Sequence, residues 1–243
     1  MKLETAKKLL KLNYELYEKE AISWDKTRQE LWEWPVIEEL KKIKQGSSIL
    51  DLGCGNGRII KNLKLKIKNL KYVGIDPSKK LIEINKKRYS DAKVETNIRF
   101  EVGNGLALKD KNKYDFVFCL AVLHHIPSEK LQLKFLKNIY QTLRPKGKVL
   151  ISLWNRQNDK YTHIRNNIKN DKIHHIICDL KKYDTIVPWK NSNSYRYIHC
   201  FRIDEIHTLV KKAGFSQINI FYADKKNITD QKTGLNIYIT CKK

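Results

Sequence analysis

The stretch Ser48-Ile49-Leu50-Asp51-Leu52-Gly53-Cys54-Gly55-Asn56-Gly57 constrains this chain more than any other. A short apolar run bounded by polar residues reads as a buried strand. Glycines at three alternate positions then precede an apolar-periodic helix that opens near Arg58. Glycine there lets the backbone turn sharply and approach a ligand that any Cβ would push away, and the helix N-terminus beyond favours negative charge. A dinucleotide fingerprint would need its third glycine where Arg58 stands, and a phosphate-binding P-loop would close with Gly-Lys-Ser/Thr. Neither pattern is present. Asp51 ahead of the loop and Asp76 at the end of the next apolar run, Tyr72-Val73-Gly74-Ile75-Asp76, complete a different one. An acid ending a second strand can accept hydrogen bonds from both hydroxyls of a ribose.

On these residues the chain resembles the class I S-adenosylmethionine (AdoMet) methyltransferases, whose first motif runs Asp-x-Gly-x-Gly-x-Gly and whose second strand ends in an acid. The resemblance implies AdoMet as cofactor, with Asp51, Gly53, Gly55, Gly57 and Asp76 at its site. It extends the site to Asn104 and Gly105 after the strand Ile98–Val102, and to Leu120 and Ala121 at the end of the strand Tyr114–Leu120. The family usually places an Asp where Asn104 stands; an amide oxygen can accept the same bond, and the other reading of Asn104 is a plain turn residue.

The order strand, loop, helix repeats through the strand Val149–Trp154, which argues an α/β fold: a mostly parallel, Rossmann-like sheet of seven strands with helices on both faces. Two final strands, near Gln217–Tyr222 and Asn236–Cys241, read as a closing antiparallel pair behind a helix carrying Ile203, Ile206, Val210 and Ala213. Ahead of the core, Leu3, Ala6, Leu10, Tyr14 or Asn13, Tyr17 and Ala21 mark an amphipathic helix. The tryptophans of Trp24–Trp34 either pack under that helix or make a lid over the cofactor from which Arg28 reaches an anionic group. On the lid reading residues 1–47 form a helical lid, 48–154 the cofactor core, 155–200 an insertion and 201–243 the closing elements of one domain, as 243 residues allow. The apolar segments are too short to span a membrane. Five scattered cysteines without a C-x-x-C pair fit a reducing, cytoplasmic setting with no zinc site.

A net charge of +23 attracts polyanions, nucleic acid first. Lysines, however, outnumber arginines 40 to nine, a bias that an AT-rich genome also produces. The insertion is more specific: nine Lys/Arg against four Asp, interleaved with Trp189, Tyr195 and Tyr197, suit stacking on unpaired bases while holding phosphate.

Trp24-Asp25-Lys26-Thr27-Arg28, Ala121-Val122-Leu123-His124-His125, Val187-Pro188-Trp189 and Tyr195-Arg196-Tyr197-Ile198-His199-Cys200-Phe201 narrow the resemblance. Together they are similar to the tRNA methyltransferases that esterify 5-carboxymethyluridine at the wobble position, and to the methyltransferase domain joined to an AlkB-type hydroxylase. That resemblance implies tRNA as substrate and a small zinc-binding activator protein as partner. A carboxylate nucleophile is already ionised at neutral pH and needs no general base; it needs a cation or donor to orient it. Arg196, His199 and Arg28 are the candidates, with Trp189 and Tyr197 stacking on the base and His124 at the substrate. His124 or His125 would serve as general base for a hydroxyl or amine, or His124 touches only cofactor and His125 is a core histidine. Two other readings stay open on sequence: a small-molecule O- or N-methyltransferase, and a catalytically silent RNA-binding relative.

Overall fold

The computed structural model describes residues 1–30, 32, 34–63, 70–90, 97–158, 179–189 and 192–243. Its frame is a sheet of β1 (Ser48–Leu52), β2 (Lys71–Asp76), β3 (Asn97–Val102), β4 (Tyr114–Leu120), β5 (Leu143–Trp154), β8 (Ser216–Ala223), β9 (Ile228–Thr229) and β10 (Asn236–Lys242). The order is β3-β2-β1-β4-β5-β10-β8-β9. Strands β1 to β5 pair in parallel, and β10 runs antiparallel between β5 and β8. The seven expected strands are all present; the eighth, β9, adds two residues at the edge.

Alternation along the central strands assigns the two cores. Leu50, Leu52, Val117, Cys119, Val149, Ile151 and Leu153 face one side, against α6 (Glu129–Thr142) and α7 (Ile203–Lys212). Ile49, Tyr72, Phe116, Phe118 and Leu150 face the other, against α3 (Val36–Lys41), α4 (Arg58–Leu63) and α5 (Lys79–Tyr89). Burial of both faces is what a parallel sheet requires, and it explains the near-continuous apolar runs. Ser78 caps α5 by accepting from Leu81 N at 3.2 Å. Ser128 also stands at a cap position, but its side chain makes no cap bond; α6 starts instead on the Ser128 carbonyl, which accepts from Leu131 N and Gln132 N.

Outside the sheet, β6 (Asp184–Pro188) and β7 (Tyr195–His199) form an antiparallel hairpin, and α1 (Leu3–Lys19) lies on it. The stripe α1 buries is Ala6, Leu9, Asn13 and Leu16; of the expected stripe Ala6, Asn13 and Ala21 are buried, Leu10 and Tyr17 half-buried, and Leu3 and Tyr14 exposed. Asn13 decides the orientation. Its Nδ2 donates to the carbonyls of His125 and Tyr197, and its Oδ1 accepts from Tyr197 N at 2.7 Å. Of the basic insertion residues, Lys160, Arg165, Lys169, Lys172 and Lys190 lie outside the described residues.

Candidate active site

The carboxyl ends of β1, β2 and β4 meet at the glycine loop, where an open α/β sheet binds its ligand. Gly53 N and Cys54 N donate to the Ile75 carbonyl, fastening the loop across to β2. Gly53 and Gly55 adopt φ of +75° and +53°, and a Cβ at either would strike protein, not only a ligand: Val122 at 2.2 Å and the Trp24 ring at 2.4 Å. Asp76 accepts from Gly55 N on one oxygen and Ser78 N on the other, both at 2.9 Å. Burial raises its pKa to about 6, against the pull of those two donors. Each oxygen keeps a lone pair for a ribose hydroxyl. These residues fit AdoMet: a cradle too tight for any Cβ, a strand-end carboxylate with spare acceptors, and an aromatic ring over the loop.

Other expected cofactor residues have different surroundings. Asp51 is buried in the sheet, accepting from Tyr72 Oη at 2.7 Å, and burial pushes its pKa to about 7. It braces the loop from below. Asn104 Oδ1 accepts from Leu106 N, so the side chain forms the turn. Gly105 leaves room for Phe135, which a Cβ would meet at 2.1 Å. Leu120 ends β4 in the core, and Ala121 holds φ +58° with its N–H on Ser152.

The segment Trp24–Arg28 crosses this cradle. Within α2 (Ala21–Lys26), Asp25 receives both a two-oxygen contact from Arg88 (2.8 and 2.7 Å) and a bond from Asn56 Nδ2 at 2.8 Å. Burial alone would raise the Asp25 pKa; hydrogen bonds from Arg88 and Asn56 hold it below the ordinary range. Asn56, a loop residue, also donates to the Arg28 carbonyl. Loop and segment are thereby one unit.

Beyond this segment, rings and guanidinium groups alternate: Trp24, Arg28, Trp189, Arg196, Trp154. Arg28 Cζ lies 5.1 Å from the Trp24 ring and 5.4 Å from Trp189; Arg196 Cζ lies 5.0 Å from Trp189 and 4.3 Å from Trp154. Arg196 is the decisive member. Its Nε and Nη1 are buried without a hydrogen-bond partner among the described residues, a cost that a bound anion would remove.

His124 and His125 flank this group and divide in role. His125 Nδ1 must donate to the Tyr197 carbonyl (3.0 Å), so Nε2 accepts from Tyr17 Oη (2.9 Å). Burial, with the Arg196 cation nearby, lowers its pKa to about 3 against that carbonyl bond. His125 is a neutral, fully partnered histidine. His124 is wholly buried, its Nδ1 faces Trp154 N at 3.5 Å, and its Nε2 has no partner among the described residues. Burial, then the cations around it, drives its pKa well down.

Arg28, Arg196, Trp189 and His124 are therefore brought together, whereas Tyr197 and His199 are not. Residues alternate along β7, so Arg196 faces the site and its neighbours face away. Tyr197 has no exposed surface; it packs on Leu9 and Ile186 and donates to Asp184 Oδ1. It cannot stack on a base in this arrangement. His199 bridges Asp184 and Glu205, each at 2.8 Å, which requires an imidazolium donating from both nitrogens. Burial alone would lower its pKa, but the two carboxylates raise it to about 9. Both N–H groups are spent on fold, so His199 has no donor left for substrate. Trp189 is 8% exposed, so it spaces the two arginines more than it offers a free face. Tyr17, Asn56, Arg88 and Trp154 escaped the sequence reading; only the aromatic ending of β5 offered a signal.

Comparison with known proteins reports on this architecture. A family model described as a methyltransferase domain matches residues 24–219. The chain belongs to that family. It is 28% identical to tRNA (carboxymethyluridine(34)-5-O)-methyltransferase of Schizosaccharomyces pombe, over 88% of this chain and 92% of that one. It is 31% identical to the Macaca fascicularis tRNA (carboxymethyluridine(34)-5-O)-methyltransferase ALKBH8 over 65% of this chain, and spans only 23% of that relative's length. A SAM-dependent methyltransferase from Methanosarcina mazei superposes with TM-score 0.67 at 19% identity, covering 88% of this chain and 99% of that one. The sheet is the class I methyltransferase fold, and the chain is an AdoMet-dependent methyltransferase. Among the described residues no helix is long and apolar enough to cross a membrane, and no cluster could hold a metal ion.

Proposed function

We propose that this methyltransferase esterifies the carboxymethyl group of wobble uridine in tRNA, in the cytoplasm. The observation that carries the reading is Arg196: a guanidinium held between two indoles with two buried N–H groups unused. A guanidinium with buried, unanswered N–H groups is a receiver for an oxyanion such as a carboxylate. AdoMet supplies a methyl activated on a sulfonium, so the protein's work is to hold a nucleophile in line with it. Arg196 orients the carboxylate, and His124, with Nδ1 turned to Trp154 N, offers Nε2–H as a second donor. Arg28 adds positive charge from the lid side. His125 is not poised as a base, being neutral with both nitrogens engaged, and a carboxylate needs none. The name of the fission-yeast relative supports the same substrate.

The test is transfer of labelled methyl from AdoMet to total tRNA, with and without prior mild alkaline hydrolysis of its esters. Alkali-labile label that appears after hydrolysis supports the reading. A small zinc-binding protein of the kind the resemblance implies belongs in a parallel reaction. No label in either, with AdoMet bound, overturns it.

A further inference from the structure

The face of the β6–β7 hairpin that presents Arg196 continues past the site. Val187 pairs with Arg196 and Thr185 with Ile198, so Thr185 shares Arg196's face two residues along. Two residues of strand span roughly 7 Å, about the spacing of successive nucleotides in an extended strand. There the hairpin forms one wall of a cavity of about 1200 Å³, closed by Arg156 after β5, Lys181, Lys182 and Tyr183 before β6, Arg202 at the start of α7, and Tyr222. Cations outnumber carboxylates on this lining four to two. Both carboxylates are committed, Asp184 to His199 and Asp204 to Arg202. Tyr183 stands between Lys182 (5.5 Å) and Arg202 (5.9 Å) and receives a bond from Arg202 on its hydroxyl. Thr185 is 6% exposed and its Oγ1 has no partner among the described residues. A buried hydroxyl without a partner in a cationic cavity marks a place where an acceptor is missing.

We infer that this cavity is a second subsite, taking the 5′-phosphate and ribose of the nucleotide on the 5′ side of the one methylated; the inference rests on the RNA reading above. Its chemistry is that of a nucleotide monophosphate: cations for the phosphate, a hydroxyl donor and tyrosine edges for the sugar and base. The subsite explains why the enzyme would act on a strand and not on a free nucleoside.

Two measurements decide it. Calorimetric titration with pUpU and with UpU, which lacks the 5′-phosphate, reads the cavity without any turnover. The phosphorylated form should bind about tenfold tighter, Lys182→Glu should erase that difference, and Thr185→Val should weaken both forms alike. Equal affinity for the two in the wild type, a difference that survives Lys182→Glu, or unchanged binding of both in Thr185→Val overturns the subsite. The second measurement compares kcat/KM for an anticodon stem-loop carrying 5-carboxymethyluridine with that for the free nucleoside. In Lys182→Glu the ratio should fall about tenfold, through KM; an unchanged ratio is against the subsite. If the wild type methylates neither substrate, the proposed function fails, while the titration still judges the cavity. Matching melting temperatures show that the variants fold.

Discussion

At the scale of single residues, Arg196 and Asp76 separate substrate from cofactor. Arg196 lies over Trp154 and Trp189, whereas Asp76 holds the glycine loop. Losing a charge-assisted, two-donor contact costs about 3 kcal/mol, or roughly 100-fold. Arg196→Ala should therefore lose at least that in kcat/KM while AdoMet affinity holds. Arg196→Lys should recover little, because an ammonium keeps the charge but not the planar fork. Equal loss of methyl transfer and AdoMet binding would remove Arg196 from substrate. Asp76→Ala has the opposite signature. It strips Gly55 N and Ser78 N of their acceptor as well as any ribose bond, so AdoMet affinity should fall first, by tenfold or more in equilibrium dialysis.

Among the elements, α1, the hairpin and α7 are joined by buried polar contacts, and these set the pH response. The His199 imidazolium clamps β6 to α7 through Asp184 and Glu205. Its pKa is raised from 6.5 to about 9, so its stabilisation is complete below about pH 6.5 and is lost as pH climbs through about 9. The full span corresponds to roughly 3 kcal/mol. Denaturant unfolding should show stability falling across that window, and His199→Gln should flatten the fall; a wild-type profile level from pH 6.5 to 9.5 would show no such clamp. Asn13 ties α1 to the same hairpin, and Asn13→Leu, leaving the His125 carbonyl and the Tyr197 N–H without their Asn13 partner, should cost about 2 to 4 kcal/mol by the same assay. These elements also show what the sequence did and did not carry. Strands β1, β2, β4 and β5 were legible because both faces are buried and their apolar runs are continuous. The centre of the α1 stripe stayed open between Tyr14 and Asn13 because the buried residue, Asn13, is a polar one that hydrogen-bonds backbone. Arg196, Tyr197 and His199 were read as one substrate group, although a strand turns neighbours to opposite faces. The parity argued against that grouping; it could not say which face was the site, since α1 covers one side of the hairpin and Trp154 the other.

Across the whole molecule, the net charge of +23 is ambiguous until its carriers are placed. Arg28, Arg58 and Arg88 touch the lid or loop, and Arg156, Arg196 and Arg202 lie along the hairpin and its cavity. Of the other described arginines, Arg99 sits in edge strand β3 and Arg144 pairs with Asp115 at the far end of the sheet. Lysines such as Lys111 and Lys146 are exposed around that far end, ahead of β4 and early in β5. The arginines follow the site; the lysines cover the molecule. RNA affinity should thus depend steeply on salt, with each phosphate contact contributing about 0.7 to the log–log slope for a single strand. Charge reversal far from the carboxyl edge, as in Lys111→Glu with Lys146→Glu, should shift affinity less than about twofold and leave that slope unchanged, whereas removing a cation that contacts phosphate lowers it by about one contact. Filter binding of an anticodon stem-loop from 50 to 300 mM salt makes the distinction. A slope that drops as much for the distant pair as for a site cation would mean that RNA is held by diffuse surface charge and not by the carboxyl edge of the sheet.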